Sequence, residues 1–186
     1  VVTVMNPDYI DLWKDYCLGS GMVVPQTIVK GGMTRFHSVR NALAKVPDGA
    51  LVAVHDGVRP FVSEKLIGDM FARAEDVPAL VPVIPAVDTM RALSKTKDAS
   101  GRETLESLDI QLDRSLLYAV QTPQIFRSEV LKAAYSQPYD PAFTDDASVV
   151  ERSGVRLSFL QGERLNFKIT TKEDLLLAQS IINLSK

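Results

Sequence analysis

The segment Ala50-Leu-Val-Ala-Val-His-Asp-Gly-Val-Arg-Pro60 constrains the fold most, because an apolar run stops abruptly at an acid, a glycine, a base and a proline. A Val-rich run this short, bounded by turn residues, reads as a fully buried strand of a parallel sheet. The polar cluster then lies at the strand's carboxyl end, where open α/β sheets take their ligands. There Asp56 can hold a cation and Arg59 an anion, a pairing suited to phosphates that arrive with a metal ion. Pro60 limits Arg59 to extended backbone and so directs its guanidinium outward.

Strand-like and helix-like segments alternate around this run. Residues 1–4 read as a strand, Asn6-Pro7-Asp8 caps a helix to about Leu18, and a strand at 27–29 enters the loop Lys30-Gly31-Gly32. A helix is predicted over 38–43 with Ser38 as its cap, another after Ser63, and a strand at 79–84. Further helices are predicted at 128–135 and 145–152, strands at 156–161 and 168–170, and a final helix opened by Thr171-Lys-Glu-Asp174. This is the rhythm of a Rossmann-like three-layer α/β/α fold with a mostly parallel sheet.

Residues 85–120 break the rhythm with two short segments, Thr89-Met-Arg-Ala-Leu and Glu103-Thr-Leu-Glu-Ser-Leu, around the polar turn Lys95-Thr-Lys-Asp-Ala-Ser-Gly101. They predict a projecting hairpin. An isolated hairpin is marginal in water, so it needs a surface to pack on, and a second subunit is the simplest one.

With 186 residues the chain fits a single domain, 1–186, that buries roughly 70% of its unfolded surface. A net charge of -2 without long Lys/Arg runs argues against nucleic acid, and no apolar run is long enough for a membrane span. Cys17 is the only cysteine, which excludes an internal disulfide or a thiolate metal cluster and points to a reducing, cytoplasmic setting. The opening Val1-Val-Thr-Val reads as the tail of a longer α/β series.

The loop Lys30-Gly-Gly-Met-Thr-Arg-Phe-His-Ser38 offers backbone N–H groups, and its adjacent glycines allow close approach of a base or ribose, or simply make a tight strand-to-helix turn. A Ser38/His55/Asp56 hydrolase is disfavoured: no G-x-S-x-G elbow occurs, and adjacent His and Asp on one strand face opposite ways. His55 reads instead as a structural histidine at a strand end.

Taken in order, Gly31-Gly-Met-Thr-Arg-Phe-His-Ser-Val39, His55-Asp-Gly-Val-Arg-Pro60, Pro85-Ala-Val-Asp-Thr89, Asp113-Arg114, Thr122-Pro-Gln124, Thr144-Asp-Asp-Ala-Ser148 and Asn166-Phe-Lys-Ile-Thr170 resemble the 2-C-methyl-D-erythritol 4-phosphate cytidylyltransferase family of the non-mevalonate isoprenoid pathway. The resemblance implies CMP transfer from CTP to a sugar-alcohol phosphate, with Mg²⁺ or another divalent cation and release of pyrophosphate. It implies nucleotide contacts at Gly31, Gly32, Ser38, Asp56 and Gly57, with Asp56 also at the metal. Arg59 and Lys168 would face the reacting phosphates, with Asp56, Arg59 and Lys168 as the catalytic set. Residues 86–120 would form the homodimer arm, and Thr89 and Arg114 would join Arg59 and Lys168 in binding the acceptor. The physics agrees, since joining two phosphates demands concentrated positive charge and little proton chemistry.

The family's N-terminal strand and Gly-rich loop, L-A-A-G-x-G-x-R-M-G followed by P-K-Q, are not in this sequence. A polypeptide lacking them is expected to be a non-catalytic dimeric binding module. One in which they precede Val1 would be an enzyme with part of its site outside these residues. A ribitol 5-phosphate cytidylyltransferase is the alternative within the same fold, and Thr144-Asp-Asp-Ala-Ser148 favours the methylerythritol acceptor.

Overall fold

Residue order and burial place the sheet between two helical layers. The computed structural model describes residues 1–184. Its strands are β1 (Val2–Met5), β2 (Thr27–Lys30), β3 (Leu51–Val54), β4 (Ala79–Pro85), β5 (Leu93–Lys97), β6 (Glu103–Ser107), β7 (Tyr118–Val120), β8 (Gln124–Arg127) and β9 (Ser158–Gln161). The helices are α1 (Ile10–Gly19), α2 (Arg35–Leu43), α3 (Glu64–Ala74), α4 (Ser128–Ala134), α5 (Asp146–Arg152) and α6 (Lys172–Leu184).

Neighbouring residues of β4 and β8 show how the layers arise. Ala79 pairs with Phe126 and Leu80 with Ile125, and successive side chains on a strand point to opposite faces. Ala79 and Phe126 accordingly pack with Phe36, Val39, Leu131, Tyr135, Val149 and Val150, from α2, α4, α5 and the end of α4. Leu80 and Ile125 pack on the other face with Leu66, Met70 and Ala74 of α3. Two apolar cores thus sandwich the sheet, as the alternating pattern predicts.

The sheet is mostly parallel as expected, with β3, β4 and β9 running the same way, but two expectations about the 50–54 run are corrected. β9 pairs with β4 in parallel, whereas β7 and β8 run antiparallel to β4, and β8 also pairs antiparallel with β3. The cause is that β7 and β8 form one bent strand along β4, interrupted at 121–123, where the Gln121 N–H still donates to Pro82 O at 2.8 Å. This strand lies between β3 and β4, so the parallel neighbours expected for the 50–54 run are displaced. β3 is also only half-buried, with Ala53 exposed, rather than fully enclosed. β1 and β2 form a separate parallel pair.

The helix starts at Ser63 and Thr171 match their predicted caps, and the helix predicted from 145 starts on a cap of its own. Ser63 accepts from the Leu66 N–H, Asp145 and Ser148 form a reciprocal capping box, and Thr171 and Asp174 exchange the equivalent bonds. α2 differs, because Thr34 is its cap and Ser38 lies in its second turn. The predicted strand at 168–170 is not formed: Ile169 makes one backbone bond, its N–H donating to Val58 O, and no ladder follows.

β5 and β6 make the projecting antiparallel hairpin, in register from Leu93 with Ser107 to Lys97 with Glu103. Its first strand starts at Leu93 rather than Thr89, because the Asp98 turn, tied to the Ser100 and Arg102 N–H groups and closed by Gly101 at φ +80°, sets the pairing. Leu93, Leu105, Leu108 and Ile110 are exposed along it. Among the described residues no helix is long and apolar enough to cross a membrane.

Met70 is fully buried in the α3 core. Met70→Ala should cost about 2–5 kcal/mol, read as a lower urea midpoint at unchanged slope.

Candidate active site

Three chain segments that are remote in sequence deliver cations to one carboxylate. Asp56 leaves the carboxyl end of β3 and lines a cavity of about 440 Å³ together with Arg35, Arg59, Thr122, Asp145 and Lys168. Lys168 Nζ lies 3.1 Å from Asp56 Oδ2, Arg35 Nη2 lies 3.3 Å from Oδ1, and Arg59 Nε lies 4.0 Å from Oδ2. Burial alone would raise the Asp56 pKa, but the hydrogen bond from Lys168 and the charges of Arg35 and Lys168 outweigh it and hold the carboxyl below its ordinary range.

Arg35 is positioned by α2, whose first residue it is. Its Nη2 donates to Asp146 Oδ2 at 2.6 Å, and Tyr135 Oη donates to Asp146 Oδ1 at 2.6 Å, deep under the cavity wall. Asp146 has no exposed surface. Burial opposes the charge on Arg35, yet Asp146 and Asp56 together prevail and raise its pKa. Arg35 thus joins a buried carboxylate to the one at the mouth. The three cations are gathered on the Asp56 side of the cavity, while the carboxylates Asp145 and Glu151 also line it.

Arg59 is turned inward more than its sequence context predicts. Its Nη1 donates to Asn166 O at 2.8 Å and its Nη2 to Val120 O at 3.4 Å, and its side chain is only 12% exposed. Burial presses its pKa down and Asp56 pushes back, though an arginine stays charged throughout. The Lys168 side chain, by contrast, is 44% exposed.

His55 has the structural role expected of it, held by both ring nitrogens. Arg59 O can only accept, so Nε2, 3.0 Å away, carries the proton. Nδ1 then accepts from Thr122 Oγ1 at 3.1 Å, and that hydroxyl accepts from the Asp56 N–H at 3.0 Å. The network fixes the loop that carries Asp56 and engages both ring nitrogens of His55 away from Ser38.

The Gly-rich loop is shaped by its own helix. A Cβ on Gly32 would collide with the Cβ of His37, and one on Gly31 would crowd Ser38 Oγ at 3.3 Å. Ser38 Oγ accepts from the Gly32 N–H at 3.0 Å and donates to Thr34 O at 2.9 Å. Gly31, Gly32 and Ser38 therefore form a folded turn beside the site, and only Arg35 of this loop lines the cavity. Gly57 is exposed next to Asp56 and does not line it.

Thr89 and Arg114 also lie away from the cavity in this chain. Both are exposed at the arm, and Arg114 Nη1 donates to Val87 O at 3.2 Å. Sequence reading missed Arg35, Asp146 and Tyr135. Arg35 and Asp146 each stand inside a segment singled out for other reasons, but 111 positions separate them.

For a divalent cation the donor set is sparse: among the described residues no three His, Cys, Asp or Glu side chains gather as a metal cage. Asp56 fits a Mg²⁺ ion that uses one carboxylate and takes its other ligands from phosphates and water.

A family model described as 2-C-methyl-D-erythritol 4-phosphate cytidylyltransferase matches residues 1–184. The Bacteroides fragilis protein of that description is 43% identical over 182 residues, covering 98% of this chain and 78% of the relative. The one from Phocaeicola vulgatus is 46% identical with the same coverage. Among solved structures, that of the Thermus thermophilus 2-C-methyl-D-erythritol 4-phosphate cytidylyltransferase superposes with a TM-score of 0.72 at 29% identity, covering 97% of this chain and 80% of that one. That of 4-diphosphocytidyl-2C-methyl-D-erythritol synthase from Anaerococcus prevotii gives 0.78 at 27%, covering 98% and 78%.

The depressed Asp56 pKa has a defined sign. The ionised carboxylate contributes stability that is fully present above its ordinary value of 3.8 and is lost as pH falls through the lower folded value. Asp56→Asn should therefore flatten the acid limb of the stability curve below about pH 4, measured by urea unfolding across pH.

Proposed function

This chain belongs to the 2-C-methyl-D-erythritol 4-phosphate cytidylyltransferase family, and on that premise we propose how its residues divide the work of cytidylyl transfer. The reaction joins CTP and 2-C-methyl-D-erythritol 4-phosphate. An acceptor phosphate oxygen forms a bond to the α-phosphorus of CTP, and the bond from that phosphorus to the bridging oxygen breaks, releasing pyrophosphate. Both reactants are anions, so the barrier is lowered by fixed positive charge around the in-line phosphorus.

The observation that carries this reading is the convergence of Arg35, Arg59 and Lys168 on Asp56 at one cavity. Lys168 has three N–H donors, one of which is directed to Asp56, and its exposed position suits contact with the transferring phosphate. Arg59, fixed by backbone carbonyls, sets a positive wall behind the acceptor phosphate. Asp56 orients these groups and would hold Mg²⁺, which when bound supplies further charge to the triphosphate oxygens. The cytidine would pack beside the turn of Gly31, Gly32 and Ser38, whose own N–H groups are bonded to Met5 O, Ser38 Oγ and Thr34 O, and Gly57 would offer its N–H beside Asp56.

The arm at 86–120 is read as the contact with a second copy. Its exposed leucines support this, and so does the absence of Thr89 and Arg114 from the lining of their own chain's cavity, since they would serve the partner's. A cytoplasmic setting follows from the nucleotide substrate and agrees with Cys17 as a free thiol.

Pyrophosphate release by the purified protein with CTP, Mg²⁺ and either acceptor tests the reaction. Turnover with methylerythritol phosphate far above that with ribitol 5-phosphate is expected, and the reverse preference overturns the acceptor assignment. Lys168→Ala should remain folded and lose at least about a hundredfold in kcat. Arg114→Ala should raise KM for the acceptor while leaving KM for CTP near its original value. Equal mixing of Arg114→Ala with Lys168→Ala subunits should restore part of the activity if one arm serves the other's site.

A further inference from the structure

Residues 162–168, Gly-Glu-Arg-Leu-Asn-Phe-Lys, belong to no helix or strand, yet they end on Lys168, which lies 3.1 Å from Asp56. A loop without a ladder positions a charge only if side chains hold it. We propose that Asn166, acting with Gln121, is a positioning residue that sets Lys168 and Arg59 against Asp56 without touching either reactant. This inference rests on the cytidylyl-transfer reading of the site.

The bonds form a closed staple. Asn166 is completely buried, and its Nδ2 donates to Thr122 O at 2.8 Å and to Gln121 Oε1 at 3.4 Å. Gln121 is buried too: its Nε2 donates to Glu163 O at 2.8 Å and to Asn166 O at 3.2 Å, and its Oε1 accepts from the Glu163 N–H at 3.1 Å. One amide therefore grips both ends of the 163–166 turn. Gly162 is required here, since a Cβ would collide with Gln121 Oε1.

The staple reaches three of the four groups of the charged cluster, Arg59, Asp56 and Lys168, but not Arg35. Asn166 O is the acceptor of the 2.8 Å bond from Arg59, so the turn fixes that guanidinium. Thr122, whose carbonyl Asn166 holds, uses its hydroxyl to accept from the Asp56 N–H. Lys168 follows two residues later, and beyond it Ile169 N–H donates to Val58 O at 2.9 Å, while Phe167 stacks on Phe61 at 5.5 Å. Lys168 is thus bracketed by ties on both sides, and Asn166 is the one that also governs Arg59 and Asp56.

Asn166→Asp tests this, because it keeps the side chain's size and removes both N–H donors. Kinetics with CTP and methylerythritol phosphate, combined with thermal unfolding, are measured for Asn166→Asp, Lys168→Ala and the double variant. The expected result is a folded Asn166→Asp protein with kcat lowered at least tenfold and KM for CTP within about threefold of the original. In the Lys168→Ala background the same change should cost clearly less than in the original protein, since only the part exerted through Arg59 remains. A folded variant with unchanged kcat, or full additivity with Lys168→Ala, overturns the proposal. Should Asn166→Asp fail to fold, Gln121→Glu, which removes the donor to the Glu163 and Asn166 carbonyls, takes its place in the same cycle, where a tenfold loss that shrinks in the Lys168→Ala background supports the proposal and unchanged kcat or full additivity overturns it. Failure of the original protein to release pyrophosphate from these substrates would instead defeat the reading on which the inference rests.

Discussion

The site depends on one carboxylate that lets three cations share a small volume. Two unit charges of like sign about 6 Å apart repel by about 3 kcal/mol at an effective dielectric of about 20, so three of them at one strand end would drive their loops apart. Asp56 offsets that repulsion for Arg35, Arg59 and Lys168, and each comes from a different element. The bent strand of β7 and β8 makes this possible. Its interruption at 121–123 brings Thr122 under the Asp56 N–H, so the backbone that carries the carboxylate is held by the sheet independently of the cations.

A second carboxylate serves the same end from below. Asp146 is enclosed in the core, where an unpaired charge would be strongly unfavourable, and the Arg35 guanidinium and Tyr135 hydroxyl satisfy it. Phe36, next in sequence to Arg35, stacks on Tyr135 at 4.7 Å between centroids. Apolar packing of α2 therefore registers Arg35 over Asp146, and the core geometry is transmitted to the cavity wall. Arg35 is oriented by the fold, and its charge is already balanced in part.

Much of this was legible in local sequence, because local rules governed it. The break from Val54 to Asp56 marks a strand end whatever its neighbours are, and Ser63, Asp145 and Thr171 cap helices through bonds made within a few residues. The direction of neighbouring strands is a different kind of fact. β3 has the apolar run of a parallel strand, but its hydrogen-bonded neighbour β8 comes from much later in the chain and runs the other way. No pattern inside Ala50 to Val54 encodes that. The same holds for Arg35, whose partner Asp146 is 111 residues distant, and for the glycines at 31 and 32, whose need is set by contact with Ser38 and His37. The strand expected at 168–170 failed because β propensity without a partner gives only the single Ile169 bond.

The unequal exposure of Arg59 and Lys168 fits the chemistry of the two side chains. A guanidinium has five donors in a rigid plane, so it can spend two on Asn166 O and Val120 O and still present positive charge along its remaining edge. An ammonium is a compact charge on a flexible stem, better suited to follow a phosphorus centre as its bonds lengthen and shorten. Exchanging the two residues would leave the carbonyls of Asn166 and Val120 with fewer donors and give the mobile position to the stiffer group. The net charge of the cavity wall would be the same, but its geometry would not, and for a reaction governed by the placement of charge the geometry decides the rate.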